Sequence, residues 1–191
     1  TATVAAEWQA GELDWQGNAE LAALPAVSAP EFRNGMRHFA VGVCIITAQH
    51  RGQRAGLPAT AVCSVTADPP RLVVFVNKNV LANQIVLDSG ALCVNVLAAD
   101  QEDVAQAFAG MLPNVHGDAR FAYGSWTAGH TSAPQLDAAL TNFDCRVIKV
   151  FDESTHHAFL CEVVQVRERQ DGAALIYLNG GFCHVPQTAS A

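Results

Sequence analysis

The chain has 191 residues, half of them hydrophobic, and carries a formal charge of −7. This length suits one domain with one hydrophobic core. The acidic balance and the absence of any lysine-arginine run exclude a protein that neutralises nucleic-acid phosphates, and no apolar run approaches the roughly 20 residues that span a bilayer. We therefore expect a protein with no nucleic-acid partner and no membrane span, located in the cytoplasm.

Composition also bears on assembly and on the redox state. Only 15% of the residues are charged, too few to cover the surface of a monomer, which favours a homodimer that buries apolar surface. The six cysteines are scattered through apolar runs, with no CxxC pair. We expect them to be buried thiols, including Cys63, and we expect no disulfide framework.

The pattern divides the chain into three parts. Residues 1–29 show no clean period and are interpreted as an N-terminal extension, residues 30–186 as the folded domain, and residues 187–191 as a tail. At the start of the domain Phe32, Met36 and Phe39 follow Pro30 at helical spacing and predict a short amphipathic helix.

Most of the domain has the pattern of β-strands separated by short turns. Many strands with few helices favour a mainly β fold, a barrel that is closed or nearly closed, because closure removes unpaired edges. The strands are predicted at residues 43–47, 59–65, 72–76, 92–97, 143–151, 159–166 and 175–178.

Two helices and one long loop interrupt the strands. Helices are predicted over residues 80–87 and 101–110, the second with Asp100 as its N-cap. Residues 111–132 form a long irregular stretch, and loops of that length in a compact domain are usually functional or pack on a neighbour.

Residues 55–83 carry the clearest chemical signal. The small residues Ala59, Thr60 and Ala61 let a planar ligand approach the backbone, whose N–H and C=O groups can pair with the polar edge of a heterocycle such as a flavin ring. Residues 77–79 follow an apolar strand at the predicted N-terminus of a helix, where Lys78 adds a positive charge. This pattern suits the phosphate of a flavin, and the residue types alone suit equally a solvated lysine at the end of an ordinary strand.

Five segments, in unbroken order between residues 32 and 185, resemble the short-chain flavin reductases of two-component monooxygenases, such as the reductase component of 4-hydroxyphenylacetate 3-monooxygenase. The segments are FRNGMRHFAVGVCIITA (32–48), TAVCSVTADPP (60–70), LCVNVLAADQEDVAQAFAGM (92–111), STHHAFLCEV (154–163) and ALIYLNGGFCHV (174–185).

The resemblance implies an FMN-binding split barrel, homodimeric, with the flavin near the subunit interface. It implies an NAD(P)H:flavin oxidoreductase in which NADH or NADPH passes a hydride to N5 of FMN or FAD, and a monooxygenase that receives the reduced flavin. By position, the implied flavin contacts are Pro58, Ala59, Thr60, Ala61, Ser64, Val65, Thr66, Asn77, Lys78, Asn79, Asn83, Phe108, Ala109 and Gly110.

Two departures from the family pattern leave FMN and FAD both open. Leu57-Pro58 stands where the family usually has Met-Thr, and Pro58 cannot donate a backbone hydrogen bond. Val80 and Leu81 stand where serine or threonine is frequent near the phosphate. No GxGxxG fingerprint is present, so the nicotinamide is expected to stack over the flavin, and its phosphorylation state stays open.

His156 is the candidate catalytic residue, since the resemblance places it near the flavin and the nicotinamide. Hydride transfer needs stacking more than acid-base help, so this histidine is expected to orient the nicotinamide. We expect no metal: His156 and His157 are adjacent on a strand and point to opposite faces. Two alternatives stay open, a flavin-binding protein without reductase activity and a related split-barrel oxidoreductase acting on another substrate.

Overall fold

The computed structural model describes residues 19–185, so most of the predicted extension and the whole predicted tail lie outside the described residues. The chain forms two compact units whose boundary in the sequence falls between Met36 and Arg37. Among residues 19–185, no helix combines the length and the apolar character needed to cross a bilayer.

The first unit contains helices α1 (Ala19–Ala22) and α2 (Ala29–Met36), neither with a buried residue. Ser28 and Glu31 begin α2 as a capping box: the Ser28 N–H donates to the Glu31 carboxylate at 2.9 Å, and the Glu31 N–H donates to the Ser28 hydroxyl at 3.4 Å. The predicted helix is thus confirmed as far as Met36. The prediction that Phe39 belongs to the same helix was wrong, because the helix ends at Met36.

The second unit contains twelve strands and two α-helices within the described residues. They are β1 (Val41–Gly42), β2 (Cys44–His50), β3 (Gln53–Ala59), β4 (Val62–Thr66), β5 (Arg71–Asn77), α3 (Leu81–Ser89), β6 (Ala91–Val96), α4 (Glu102–Phe108), β7 (Trp126–Ala128), β8 (Pro134–Leu136), β9 (Thr141–Glu153), β10 (His156–Glu168), β11 (Ala174–Leu178) and β12 (Gly181–Val185).

The strands form antiparallel sheets. Seven pair in the order β3-β2-β6-β9-β10-β5-β4, three in the order β1-β11-β12, and β7 pairs with β8. The prediction of a mainly β fold is confirmed.

Two apolar clusters form the core, one on each side of β2. Successive strand residues point to opposite faces, so Ile46 joins a cluster with Val74, Val86 and Phe159, while Ile45 joins another with Phe108 and other side chains. Helix α3 covers the first cluster and α4 the second. Because both faces of β2 are buried over its first half, the apolar residues Cys44, Ile45 and Ile46 follow one another instead of alternating with polar ones.

The predicted strand at residues 59–65 was wrong. Strand β3 ends at Ala59, β4 begins at Val62, and Thr60 and Ala61 carry the chain between the two edges of the seven-stranded sheet. The beginning of β3 was missed because Gly56 and Pro58 obscure it. Pro58 is tolerated because β3 is an edge strand, where a missing N–H leaves no ladder bond unmade.

Three further predictions need correction. Asp100 does not cap α4: a 3-10 turn at Ala99–Gln101 precedes the helix, and the Asp100 carboxylate accepts from Arg169 at 3.2 Å. Cys63 is exposed on the edge strand β4, whereas Cys44, Cys93, Cys145 and Cys161 are buried and Cys183 is half-buried. Residues 111–132 are partly regular, with a 3-10 turn at Gly117–Ala122 and strand β7.

Candidate functional site

The crossing from β3 to β4 borders a cavity of about 230 Å³, which we call the ring cavity. Three predicted flavin contacts, Pro58, Ala59 and Thr60, line it, and Ala109 joins them from the end of α4. Its other walls were not predicted, because nothing in the sequence separates an apolar residue that lines a cavity from one in the core. These are Val43, Ala105, Met111, Tyr177 and Phe182.

The three predicted contacts at the end of α4 have different environments. The Phe108 side chain is buried, with its ring centroid 5.1 Å from that of Phe121 and 5.5 Å from that of Trp126. Ala109 lines the ring cavity, and Gly110 turns the chain with φ +71°. Phe108 therefore supports the turn from behind, while Ala109 and Gly110 are the accessible positions.

A second group of predicted contacts gathers where β5 ends beside the start of β10. Asn77 pairs in register with His156, so the candidate catalytic residue lies directly opposite a predicted flavin contact. Residues 78 and 79 follow in the turn before α3, which begins at Leu81 with Val80 as its N-cap. Val62, at the start of β4, pairs with Val74 on β5. Asn77 is three residues further along β5, so this group lies roughly 10 Å from the start of β4.

The charge of Lys78 is already engaged within this group. Its ammonium donates to the Asp152 carboxylate and, at 2.6 Å, to the backbone carbonyl of Ser154. The hydrogen bond from Lys78 holds the pKa of Asp152 below its usual range. A phosphate that approached Lys78 would therefore have to compete with Asp152.

The two adjacent histidines make different contacts. His156 Nδ1 is 2.8 Å from the Thr155 hydroxyl, which leaves Nε2 without a hydrogen bond to any described residue. His157 Nδ1 is 3.0 Å from the amide oxygen of Asn83, whose Nδ2 donates to the Val76 carbonyl at 3.2 Å. Asn83 is buried and links α3 to two strands, a structural role in this chain.

The contacts predicted at Ser64, Val65 and Thr66 lie apart from both groups. They are exposed on β4, and Thr66 pairs with Arg71 at the opposite end of β5 from Asn77. The Thr66 hydroxyl donates to the Pro69 carbonyl at 2.5 Å. The fold thus places residues 58–60 and 109 around the ring cavity, and it places residues 77–79 and 156 together where β5 ends beside β10. Residues 64–66 belong to neither group.

A larger cavity, of about 670 Å³, lies further along β3 and is called the arginine cavity here. Arg51, Arg54 and Arg120 line it together with a single carboxylate, Asp118. The Arg54 guanidinium donates to Asp118 at 2.5 and 3.1 Å and lies 4.3 Å from the centre of the Phe121 ring. No role for these arginines was predicted from the sequence, because Arg120 lies more than 60 residues from Arg51 and Arg54 and only the fold brings the three together.

Two buried cysteines are unsuited to thiol chemistry. Burial raises the pKa of Cys44 and of Cys161 to about 12, so neither thiol is a nucleophile near neutral pH. In the part of the chain that the structure describes, no three histidine, cysteine, aspartate or glutamate side chains are grouped so that they could hold a metal ion.

Comparison with known proteins identifies the family of the chain. The model of the flavin reductase like domain matches residues 36–186. The chain belongs to this flavin reductase family. The match includes both groups of predicted contacts and all twelve strands.

Relatives in the flavin reductase family are similar over most of their length. An FMN reductase (NADH) RutF from Pseudomonas syringae is 40% identical over 168 residues, which cover 88% of this chain and 93% of that protein. The 4-hydroxyphenylacetate 3-monooxygenase reductase component from Pseudomonas aeruginosa is 39% identical over 151 residues, 79% of this chain and 88% of that protein.

A solved structure supports the same fold. BorF, the flavin reductase component of a bacterial two-component tryptophan halogenase, superposes with a TM-score of 0.76 at 27% identity, and the match covers 84% of this chain and all of that one. The predicted split-barrel type of fold is therefore confirmed.

Proposed function

We propose that this chain is an NAD(P)H-dependent flavin reductase. A reduced nicotinamide gives a hydride to N5 of FMN or FAD, a proton from water completes the reduced flavin, and oxidised nicotinamide leaves. The observation that carries the proposal is the 40% identity to an FMN reductase (NADH) over 93% of that protein's length.

The ring cavity suits a flavin. Small residues at Ala59, Thr60 and Ala109 leave its floor open to a planar ring, and Tyr177 and Phe182 add aromatic walls. Flavin, when bound, supplies the acceptor for two electrons. The chain's own residues position the two reactants and exclude water, which is most of what hydride transfer requires.

His156 is proposed to orient the nicotinamide. Its Nδ1 is engaged by Thr155, so Nε2 is the nitrogen available to a ligand. His156 faces Asn77 across the β5–β10 ladder, which places both side chains on the same face of the sheet. A residue in this position can hold the nicotinamide amide but has no need to transfer a proton.

We further propose that the chain acts as a homodimer. Phe75 and Phe151 flank Ala158 in one row across β5, β10 and β9, and they remain 39% and 44% exposed. Asn77 and His156 are two residues further along β5 and β10, and therefore share this face. A second copy seated on the row would border the predicted flavin contacts and exclude water from them.

The reduced flavin is proposed to pass to a monooxygenase. One relative is named as the reductase component of a monooxygenase, and the matched solved structure is the reductase component of a halogenase. Both names describe a reductase that is one component of a larger enzyme system, which supports a separate protein as the acceptor of the reduced flavin.

The test is NADH and NADPH oxidation by the purified chain with FMN, FAD or no flavin added. Turnover that depends on added flavin supports the reductase and ranks both flavins and both nicotinamides. Stoichiometric flavin binding without turnover would instead identify a flavin-binding protein. If the reduced enzyme passes electrons to another acceptor but not to free flavin, the chain is a different split-barrel oxidoreductase.

A further inference from the structure

The arginine cavity has a charge that the protein does not balance. Three guanidinium groups and one carboxylate line it, so two positive charges remain in a chain whose formal charge is −7. Arg54 is fixed by Asp118 and by the Phe121 ring. Arg51 and Arg120 form no ion pair with any described residue, which leaves them free for an anion.

Arg120 is the more informative of the two. Its Nε is buried and has no hydrogen-bond partner among the described residues. A buried guanidinium N–H without an acceptor is unfavourable, and guanidinium groups match phosphate oxygens in geometry and charge. An anion in this cavity would supply the missing acceptor.

The size and lining of the cavity indicate a ligand larger than a phosphate ion. About 670 Å³ falls in the range of sites that hold small organic ligands. Leu57, Val80 and Leu81 give it an apolar side next to the arginines. Apolar surface beside guanidinium groups suits a nucleotide, which joins a flat base to phosphates.

Strand β3 connects the arginine cavity to the ring cavity. Residues up to Leu57 line the first, and the next residue, Pro58, lines the second. From Pro58 to Arg54 the strand covers roughly 13 Å. A ligand whose reacting ring occupies the ring cavity can therefore extend along the strand to the arginines, provided that it has a second half joined through phosphates.

We propose that the arginine cavity binds the adenosine diphosphate portion of a dinucleotide, either FAD or NAD(P)H, whose reacting ring lies in the ring cavity. This inference rests on the proposed function. It assigns the phosphates to the guanidinium groups that line the cavity, Arg120 foremost. FMN, which lacks this portion, would leave the arginine cavity empty.

The direct test is calorimetric titration of the full chain with ADP, which needs no turnover. Wild type should bind ADP, and Arg120→Met should weaken binding by about tenfold, the scale of one charged hydrogen bond. Arg37→Met, at an exposed arginine of the second unit that does not line the cavity, is the matched control and should bind as wild type does. Arg51→Met, in an exposed turn, repeats the test if Arg120→Met fails to fold.

Two further measurements on the same variants identify the source of the ADP portion. A weaker affinity for FAD with unchanged affinity for FMN supports binding of the flavin dinucleotide. A higher KM for NADH and NADPH with both flavin affinities unchanged supports the nicotinamide. Equal losses for FMN and FAD, or ADP binding that is absent or unaffected by both substitutions, overturn the proposal. Arginine-dependent ADP binding without any NADH oxidation would retain the nucleotide site and reject the reductase.

Discussion

Lys78 has one charge and several acceptors within reach. Its ammonium contacts Asp152 and the Ser154 carbonyl, while the flavin proposal adds a phosphate. Replacing Lys78 by Ala should raise the dissociation constant for FMN by about tenfold. Asp152→Asn removes the competing charge, so the same fluorescence titration should show FMN binding as tight as in wild type or tighter. An unchanged affinity of Lys78→Ala for FMN would show that this lysine only stabilises the turn between β9 and β10.

The adjacent histidines separate function from folding. His156→Ala should raise KM for NADH several-fold and leave the melting temperature nearly unchanged, because the His156 side chain hydrogen-bonds to no described residue except its neighbour Thr155. His157→Ala should instead lower the melting temperature, because it leaves the buried amide of Asn83 without one partner. Steady-state kinetics and thermal melts on the two variants make the comparison. The reverse pattern would move the orienting role to His157.

At the scale of elements, the packing of β3 on α4 depends on Gly56. A Cβ at this position would lie 2.5 Å from Cε1 of Phe108 and 3.1 Å from the Ile46 carbonyl. Gly56→Ala should therefore destabilise the protein by about 1–3 kcal/mol, since the aromatic ring must shift within a packed core. Gly42→Ala, in β1, meets nothing within 4 Å and is the control for urea unfolding. Equal stability of the two variants would show that Phe108 repacks freely.

Element type was predictable where burial dictates the pattern. Central strands such as β2 and β6 are rich in buried apolar residues, and the stripe of α4 faces the core, so local sequence was sufficient to predict their type. The beginning of strand β3 was missed because its arginine, glycine and proline suit an edge strand, and edge position is a property of the whole sheet. Residues 58–60 could be named from the family resemblance. The clustering of Arg51, Arg54 and Arg120 could not be predicted, because it depends on how the fold brings distant parts of the chain together.

For the whole molecule, the exposed row across β5, β10 and β9 predicts the state of assembly. Wild type should sediment as a dimer, and Phe151→Asp should give a monomer because it places a charge in the proposed apolar interface. Leu87→Asp changes a similarly exposed side chain on α3 and should remain dimeric. Sedimentation equilibrium distinguishes these outcomes. A monomeric wild type would contradict the proposed homodimer.

Four buried thiols give the fold an alkaline limit. Burial raises the pKa of Cys44 and Cys161 to about 12, and it raises the pKa of Cys93 and Cys145 further, against an ordinary value of 9.0. The folded state thus keeps protons that the unfolded state releases. The resulting stability is fully present below pH 9 and is lost as the pH rises from about 9 towards 12.

The free energy of unfolding should therefore fall by about 1 kcal/mol per buried thiol for each pH unit above 9. Urea unfolding in reducing buffer at several alkaline pH values measures this slope. Cys161→Ala should reduce the slope by one thiol, whereas Cys63→Ala, at an exposed position, should leave it unchanged. A slope that no cysteine substitution alters would assign the alkaline limit to other groups.

The two edges of the seven-stranded sheet are consecutive in the chain, with Thr60 and Ala61 between them. A fluctuation that separates β3 from its neighbour therefore displaces the ring cavity and the arginine cavity together, since β3 lines both. A bound dinucleotide would hold β3 against its neighbour. The enzyme should therefore resist proteolysis most while the dinucleotide is bound and least between turnovers.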